Sequence, residues 1–174
     1  MKKLESTWYN MAIVLTGIAV VAGAALGYVN SITAPTIEAL KIQQEKEAEQ
    51  QVLNGQEGTA IKITDPKGFG GALTVMVGLA KDGTILGYKV LESSETPGLG
   101  AKAQDWFQKG QKGDIIGKTA GKLTVSKDGG EVDAITASTI TSRAFLLAVN
   151  NAYNAYTATP SSDAETGATK QHHE

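Results

Sequence analysis

The sequence predicts an α+β protein, in which one N-terminal transmembrane helix precedes a small domain of antiparallel strands closed by a C-terminal helix. An uncharged apolar run lies near the N-terminus, short β-type segments separated by Gly, Asp and Pro follow, and apolar residues at helical spacing come last. The chain has 174 residues. This length suits one modest domain with an anchor and a tail.

Composition excludes several classes of function. The 16 basic and 18 acidic residues give a net charge of −2 without a field of one sign, so nucleic acid is not an expected partner. The absence of cysteine excludes thiolate nucleophiles and iron–sulfur clusters held by this chain. His172 and His173 lie at the extreme C-terminus, where such residues are far more often solvated tail than metal ligands. We therefore expect no metal site, and redox chemistry only through a bound organic cofactor.

Residues 11–29 are the predicted transmembrane helix. They carry no charge and match the roughly 20 residues needed to cross a bilayer. Lys2 and Lys3 precede them, whereas the next basic residue is Lys41. The positive-inside bias therefore predicts that residues 1–10 are cytoplasmic and that the rest is extracytoplasmic. A cleaved signal peptide is the alternative, and it places the remainder on the same side.

Four regions are expected after the membrane. A short exit segment, Asn30 to Pro35, is followed by a helix from Thr36 to about Leu53 that is rich in Glu, Gln, Lys and Ala, and together they form a helical stalk over residues 30–54. Residues 55–157 form the folded domain, and residues 158–174 form a polar tail that is predicted to be disordered.

Short β-type segments alternate with turn residues inside the domain. An Asp-Gly pair, Asp82-Gly83, predicts a hairpin between two of them. Apolar residues at helical spacing predict the closing helix over Ser142 to Tyr156, with Ser142 available near its start. The predicted strands are Ala60 to Ile63, Ala72 to Leu79, Ile85 to Leu91 and Leu123 to Ser126.

The first candidate site motif is Gly68-Phe69-Gly70-Gly71, which leads into the second strand. Alone it indicates a turn and a close backbone approach. The second motif is Ser94-Glu95-Thr96-Pro97-Gly98-Leu99-Gly100-Ala101-Lys102. A glycine-rich turn exposes N–H groups that can face a phosphate or a flavin carbonyl, and its Glu, Thr and Lys add polar contacts. An ordinary type II turn is the alternative explanation.

The third motif is Asp133-Ala134-Ile135-Thr136-Ala137-Ser138-Thr139-Ile140-Thr141-Ser142-Arg143-Ala144. It places Thr139 just before the predicted closing helix, whose free N–H groups and dipole favour an anion. Thr141, Ser142 and Arg143 could donate further hydrogen bonds to a phosphate there. From the residues alone, a Ser/Thr-rich helix cap is the simpler explanation.

Together these motifs resemble, over nearly the whole chain, the FMN-binding domain shared by two proteins: the G subunit of the Rnf-type electron-transport complex and the C subunit of sodium-translocating NADH:quinone reductase. The second motif is similar to the family's Glu-Thr-Pro-Gly-Leu-Gly loop. The third resembles its flavinylation motif, Asp-x-x-Ser/Thr-Gly-Ala-Thr, whose last threonine forms a phosphoester with FMN. Ala137 and Ser138 stand where the family usually has Gly and Ala, and Thr139 is in register as the acceptor.

The resemblance implies a covalent FMN on Thr139 and an electron-carrier subunit of an ion-translocating oxidoreductase that is not catalytic alone. It implies a bacterial inner-membrane protein with one span and a periplasmic domain. Its expected partners are the other membrane subunits and a flavin transferase. The other expected cofactor-binding residues are Glu95, Thr96, Gly98, Leu99, Gly100, Lys102, Thr136, Ser138, Thr141 and Ser142.

Several alternatives remain open at this point. The compact length favours the Rnf-type G subunit over the C subunit of the quinone reductase. A flavin-free structural subunit and a free-standing extracytoplasmic FMN reductase are rivals from other classes. In the tail, Asp163 to Thr169 also matches the short acceptor pattern, but no apolar pocket or following helix is expected there, so Thr139 is the preferred carrier.

Overall fold

The computed structural model of the protein describes residues 8–158, so the expectations for Lys2, Lys3 and the tail lie outside the described part. The chain divides into two compact units between Glu45 and Lys46. The predicted class is confirmed: an N-terminal apolar helix, a three-stranded antiparallel sheet and a C-terminal helix.

Helix α1 is continuous over Trp8–Leu53 and includes the sequence of the predicted span and stalk. The exit segment expected from Asn30 to Pro35 is not a break in the helix, which continues through Pro35. An interior proline removes one backbone hydrogen bond, at a cost of about 3 kcal/mol. The hydroxyls of Ser31 and Thr33 donate back to carbonyl oxygens of the preceding turn, at 2.8 and 2.9 Å, so these polar side chains are bonded within the helix.

The first part of α1 presents its apolar side chains outward. Among the described elements, this helix alone is long and apolar enough to cross a membrane, and none of its most apolar window is buried. Ile13, Leu15, Val21 and Leu26 are all more than half exposed. Such a surface requires lipid or other apolar partners, as a membrane span does.

The sheet contains β1 (Thr59–Asp65), β2 (Leu73–Leu79) and β3 (Ile85–Ser93), in that order. The three strands expected here are confirmed, and their ends agree with the expected ones to within two residues. Every residue of β2 is buried, because elements cover both of its faces. The predicted hairpin is also confirmed: Gly83 N donates to the Ala80 carbonyl at 2.9 Å.

The strand expected at Leu123 to Ser126 is absent. Val125 makes a single bridge to Val132, and the 3₁₀ turn Ser126–Asp128 follows. The backbone of Leu123 bonds instead to the side chain of Asn150, by one bond of 3.0 Å and one of 2.8 Å. The segment from Leu123 to Ser126 is therefore attached to the closing helix and does not extend the sheet.

A short helix, α2 (Ala103–Trp106), follows the sheet. The closing helix α3 spans Thr139–Ala158, so it begins three residues earlier than the expected start at Ser142. Its buried side packs on the sheet and carries Phe145, whose ring stacks on Phe107 with centroids 4.4 Å apart and meets the edge of Tyr88 at 4.8 Å. The Tyr88 hydroxyl donates to the Ala103 carbonyl at 2.8 Å. Burial raises the pKa of this phenol well above its usual range.

The C-terminal end of α1 packs on the opposite face of the sheet. Ala48 and Val52 are buried there with Met76. Beneath Val52, Gly78 and Gly87 face each other across β2 and β3. A Cβ on Gly78 would lie 2.4 Å from the Val52 carbonyl oxygen, and one on Gly87 would lie 2.7 Å from it. The absence of side chains at these two glycines therefore allows the backbone of α1 at Val52 to lie close against β2 and β3.

We predict that Gly78→Ala destabilises the domain by about 1 to 3 kcal/mol, because the new methyl group must displace backbone rather than a side-chain end. Thermal or chemical unfolding of the purified chain measures this loss. Gly23→Ala is the matched control, since an added Cβ there meets nothing within 4 Å. A stability of the Gly78 variant equal to that of the control contradicts this packing.

Candidate functional site

The three sequence motifs meet around one groove at the N-terminus of α3. Its volume is about 380 Å³. The loop before β2, the loop after β3 and the first turn of α3 each contribute to its walls. The lining residues are Phe69, Glu95, Thr96, Leu99, Gly100, Ala137, Ser138, Thr139 and Ile140.

A buried carboxylate joins these three segments. Glu95 is 8% exposed; its Oε1 accepts a hydrogen bond of 3.2 Å from Gly70 N, and its Oε2 accepts one of 2.9 Å from Thr141 Oγ1. Ser138 Oγ in turn donates to Thr141 Oγ1 at 2.9 Å. Hydrogen bonds of this kind are stronger where water is excluded, so Glu95 fixes the spacing of the groove walls.

The glycines of the motifs allow this close approach. A Cβ on Gly100 would lie 2.4 Å from Glu95 Oε2, and one on Gly68 would lie 2.8 Å from Oε1. The expected turn is present after Glu95: Leu99 N donates to the Thr96 carbonyl at 3.1 Å, and Gly98 has a φ of 81°. A positive φ at this position is typical of a type II turn.

Thr139 is the first residue of α3 and is partly buried at the edge of the groove. Its Oγ1 accepts a hydrogen bond of 3.2 Å from Lys127 Nζ. Two residues earlier, Ala137 has a φ of 62°, in the left-handed region that glycine adopts without strain. This backbone angle gives a physical reason for the glycine that the family usually has at this position.

The expected site residues divide into three groups. Those that line the groove are Glu95, Thr96, Leu99, Gly100, Ser138 and Thr139. Gly98, Lys102 and Thr136 are exposed and lie outside its lining. Thr141 and Ser142 are fully buried with bonded hydroxyls: Ser142 Oγ donates to the Ser138 carbonyl and accepts from Ile135 N, both at 2.9 Å. These two hydroxyls hold the loop together and do not face the groove.

Arg143, which was expected to offer a donor to a phosphate, pairs with Asp128. Its Nε and one terminal nitrogen each donate to an Asp128 carboxylate oxygen at 2.6 Å. These bonds hold the pKa of Asp128 below its usual range. The pair ties the 3₁₀ turn to α3.

Four residues at the site were not expected from sequence. Phe69 belongs to a motif that indicated only backbone geometry, and Ala137 stood out only by its place in the third motif. Ile140 could have been found from helical spacing, because it is an apolar residue next to Thr139 that does not belong to the predicted buried side of the helix. Lys127 carried no local signal, because its contact with Thr139 joins residues 12 positions apart.

The chain is similar to one domain family and to subunits of ion-translocating complexes. A family model described as the FMN-binding domain matches residues 68–154. Over 201 aligned residues the chain is 30% identical to the G subunit of the Na(+)-translocating ferredoxin:NAD(+) oxidoreductase complex of Acetobacterium woodii, and the match covers 89% of this chain and 96% of that protein. It is 38% identical to the G subunit of the ion-translocating oxidoreductase complex of Vibrio atlanticus, over 71% of this chain and 61% of the relative. The corresponding protein of Salmonella typhi is 43% identical, over 53% and 47% of the two chains.

The fold is thus that of a small FMN-binding domain that follows a long N-terminal helix. The chain belongs to the G-subunit family of Rnf-type ion-translocating oxidoreductase complexes. It spans nearly all of the Acetobacterium relative and about half to three fifths of the other two. The apolar helix and this membership support a single-pass membrane protein.

The groove suits the chemistry of FMN. Phe69, Leu99 and Ile140 are 70%, 41% and 51% exposed, which leaves apolar surface for a planar ring system to cover. Thr139 places its hydroxyl, which accepts from the Lys127 ammonium group, at the edge of the same groove. The groove volume falls within the roughly 300 to 1,000 Å³ of ordinary small-molecule sites.

We predict that Glu95 and Thr141 stabilise the protein as a coupled pair. Removing one partner leaves a buried polar group without its bond, at a cost of about 1 to 3 kcal/mol. The double-mutant cycle of Glu95→Ala, Thr141→Val and both together, measured by chemical unfolding, should give a coupling energy of at least about 0.5 kcal/mol. Strictly additive effects contradict a carboxylate that holds the loops through this bond.

Replacing Ala137 with Gly should stabilise the fold. Relief of the left-handed strain, about 1 to 2 kcal/mol, exceeds the added chain entropy of glycine, about 0.5 to 1 kcal/mol. The melting temperature of Ala137→Gly should therefore rise, and that of Ala137→Val should fall because a β-branched side chain tolerates this angle less well. A lower melting temperature for the glycine variant contradicts the observed backbone angle.

Proposed function

We propose that this chain is a membrane-anchored flavoprotein subunit that carries FMN through a phosphoester on Thr139 and relays electrons in an Rnf-type ion-translocating complex. The observation that supports this most directly is the position of Thr139. Its hydroxyl lies at the start of α3, on the edge of an apolar groove built from the motifs that resemble the family's flavin site.

The residues divide the work of holding the cofactor. The start of α3 offers free N–H groups and the positive end of the helix dipole to the phosphate. The apolar side chains of Phe69, Leu99 and Ile140 suit the ring system. Thr96, Gly100 and Ser138 offer polar contacts along the groove. Glu95 holds the loop before β2 and the first turn of α3 together through its two hydrogen bonds. FMN, when bound, supplies reversible electron transfer, and the protein supplies attachment, orientation and partial exclusion of water.

Covalent attachment suits a carrier that lies outside the cytoplasm, where a dissociated cofactor would be lost. The lysines that precede the predicted span support a periplasmic position for the domain. A flavin transferase is the expected partner for maturation. The other membrane subunits of the complex are the expected electron partners, and they supply the ion path, because one span without a charged residue cannot form such a path by itself.

The test uses the full chain produced together with a flavin transferase. Thr139→Ala should abolish covalent flavin, measured as fluorescence of the denatured protein in a gel, while the unfolding temperature remains close to that of the unaltered chain. The substitution removes one partly buried hydroxyl and little apolar volume, so a large loss of stability is not expected.

Thr169→Ala, in the second acceptor pattern of the tail, is the matched control and should retain the fluorescence. Full fluorescence in Thr139→Ala contradicts Thr139 as the carrier. An unaltered chain without any covalent flavin, despite an active transferase, favours a flavin-free structural role.

A further inference from the structure

Lys127 lies on the surface with its ammonium group against the Thr139 hydroxyl. The Nζ to Oγ1 distance is 3.2 Å, although Lys127 belongs to the separate 3₁₀ turn Ser126–Asp128. Long lysine side chains on a surface lose much rotamer entropy when they are held in one place. An interaction at this position must therefore offset the entropy that the Lys127 side chain loses beside Thr139 Oγ1, the proposed attachment atom.

An ion pair links the side chain of Asp128, in the same turn as Lys127, to α3. Asp128 accepts two hydrogen bonds of 2.6 Å from Arg143, which lies one helical turn after Thr139. Paired bonds between a guanidinium and a carboxylate restrict orientation as well as distance. The ion pair therefore keeps Lys127 close to the first turn of α3.

The charges around Thr139 favour an anion. A cation near the N-terminus of a helix opposes the helix dipole, and α3 has no acidic residue in its first turn. Lys127 does attract the neighbouring Asp128 and helps to lower the pKa of that carboxyl, but both Asp128 oxygens already accept from Arg143. The oxygens of Glu95 are likewise already occupied, because this buried carboxyl accepts from Gly70 N and from Thr141 Oγ1.

We propose that Lys127 is a phosphate-binding residue, whose ammonium group pairs with the phosphate of FMN held at Thr139. This inference rests on the proposed function and adds a charge contact, with no further chemical step. Thr139 Oγ1 would become the ester oxygen, and the free phosphate oxygens would then lie two bonds from an atom that Lys127 already contacts. Lys127 rather than Arg143, which is held by Asp128, is thus the side-chain cation of this site.

The test compares FMN with riboflavin, which lacks the phosphate. The full chain carrying Thr139→Ala prevents covalent attachment, so dissociation constants can be measured by titrating each flavin and following its fluorescence. In this background Lys127→Gln should weaken FMN binding on the order of tenfold, because one charge-assisted bond is lost. Riboflavin binding should change by less than about twofold, since it has no group for the ammonium to pair with.

Two further variants separate charge from structure. Lys127→Arg should keep most of the preference for FMN, because the positive charge remains. Lys109→Gln makes the same change of charge in a separate groove, lined by Gln51 and Tyr88 among others, and should alter neither constant. With Thr139 intact, Lys127→Gln should also acquire covalent flavin more slowly than Lys127→Arg when both are exposed to the transferase.

The outcomes distinguish this inference from the proposed function. An unaltered chain that acquires no covalent flavin overturns the proposed function and this inference with it. Covalent flavin on the unaltered chain, together with an unchanged FMN preference and an unchanged rate of incorporation in Lys127→Gln, overturns the role of Lys127 alone. Equal weakening of FMN and riboflavin also overturns it, because a purely structural lysine would act on both flavins.

Discussion

The arrangement of the groove depends on the buried carboxylate of Glu95. A carboxylate taken out of water is costly unless its oxygens accept hydrogen bonds, and here each oxygen accepts one from a different segment. The loop before β2 supplies Gly70 N, the first turn of α3 supplies the Thr141 hydroxyl, and Glu95 itself stands just after the end of β3. Sequence-distant loops are thereby held at one spacing, and the glycines beside them leave room for the carboxylate.

The groove also takes its rigidity from α3. The helix that begins at Thr139 carries Phe145 into the core, where its ring stacks on Phe107. Because the proposed attachment residue and the core residue belong to the same helix, a tether at Thr139 would be fixed relative to the sheet rather than to a loose loop. Fixed distance matters for an electron carrier, since its partners must approach the flavin repeatedly in one geometry.

Local sequence signals predicted the elements that local interactions determine. The Asp-Gly turn predicted the hairpin, a short β-type segment between turn residues predicted β2, and helical spacing predicted α3. Tertiary contacts decided the rest. Leu123 bonds to Asn150 instead of joining the sheet, and Thr141 donates its hydroxyl to Glu95, which lies 46 positions away in the chain. Lys127 reaches Thr139 from a turn 12 positions earlier in the chain, a contact that no local pattern records.

The central claim, FMN attached at Thr139, is tested most directly on the unaltered chain extracted from membranes. Trypsin cleaves after Lys127 and Arg143, so residues 128–143 form one peptide, while the second acceptor pattern lies in another. We predict that the 128–143 peptide carries the mass of FMN and that its fragment ions place the flavin on Thr139. Flavin on the tail peptide, or on Thr136 within the same peptide, would contradict the account.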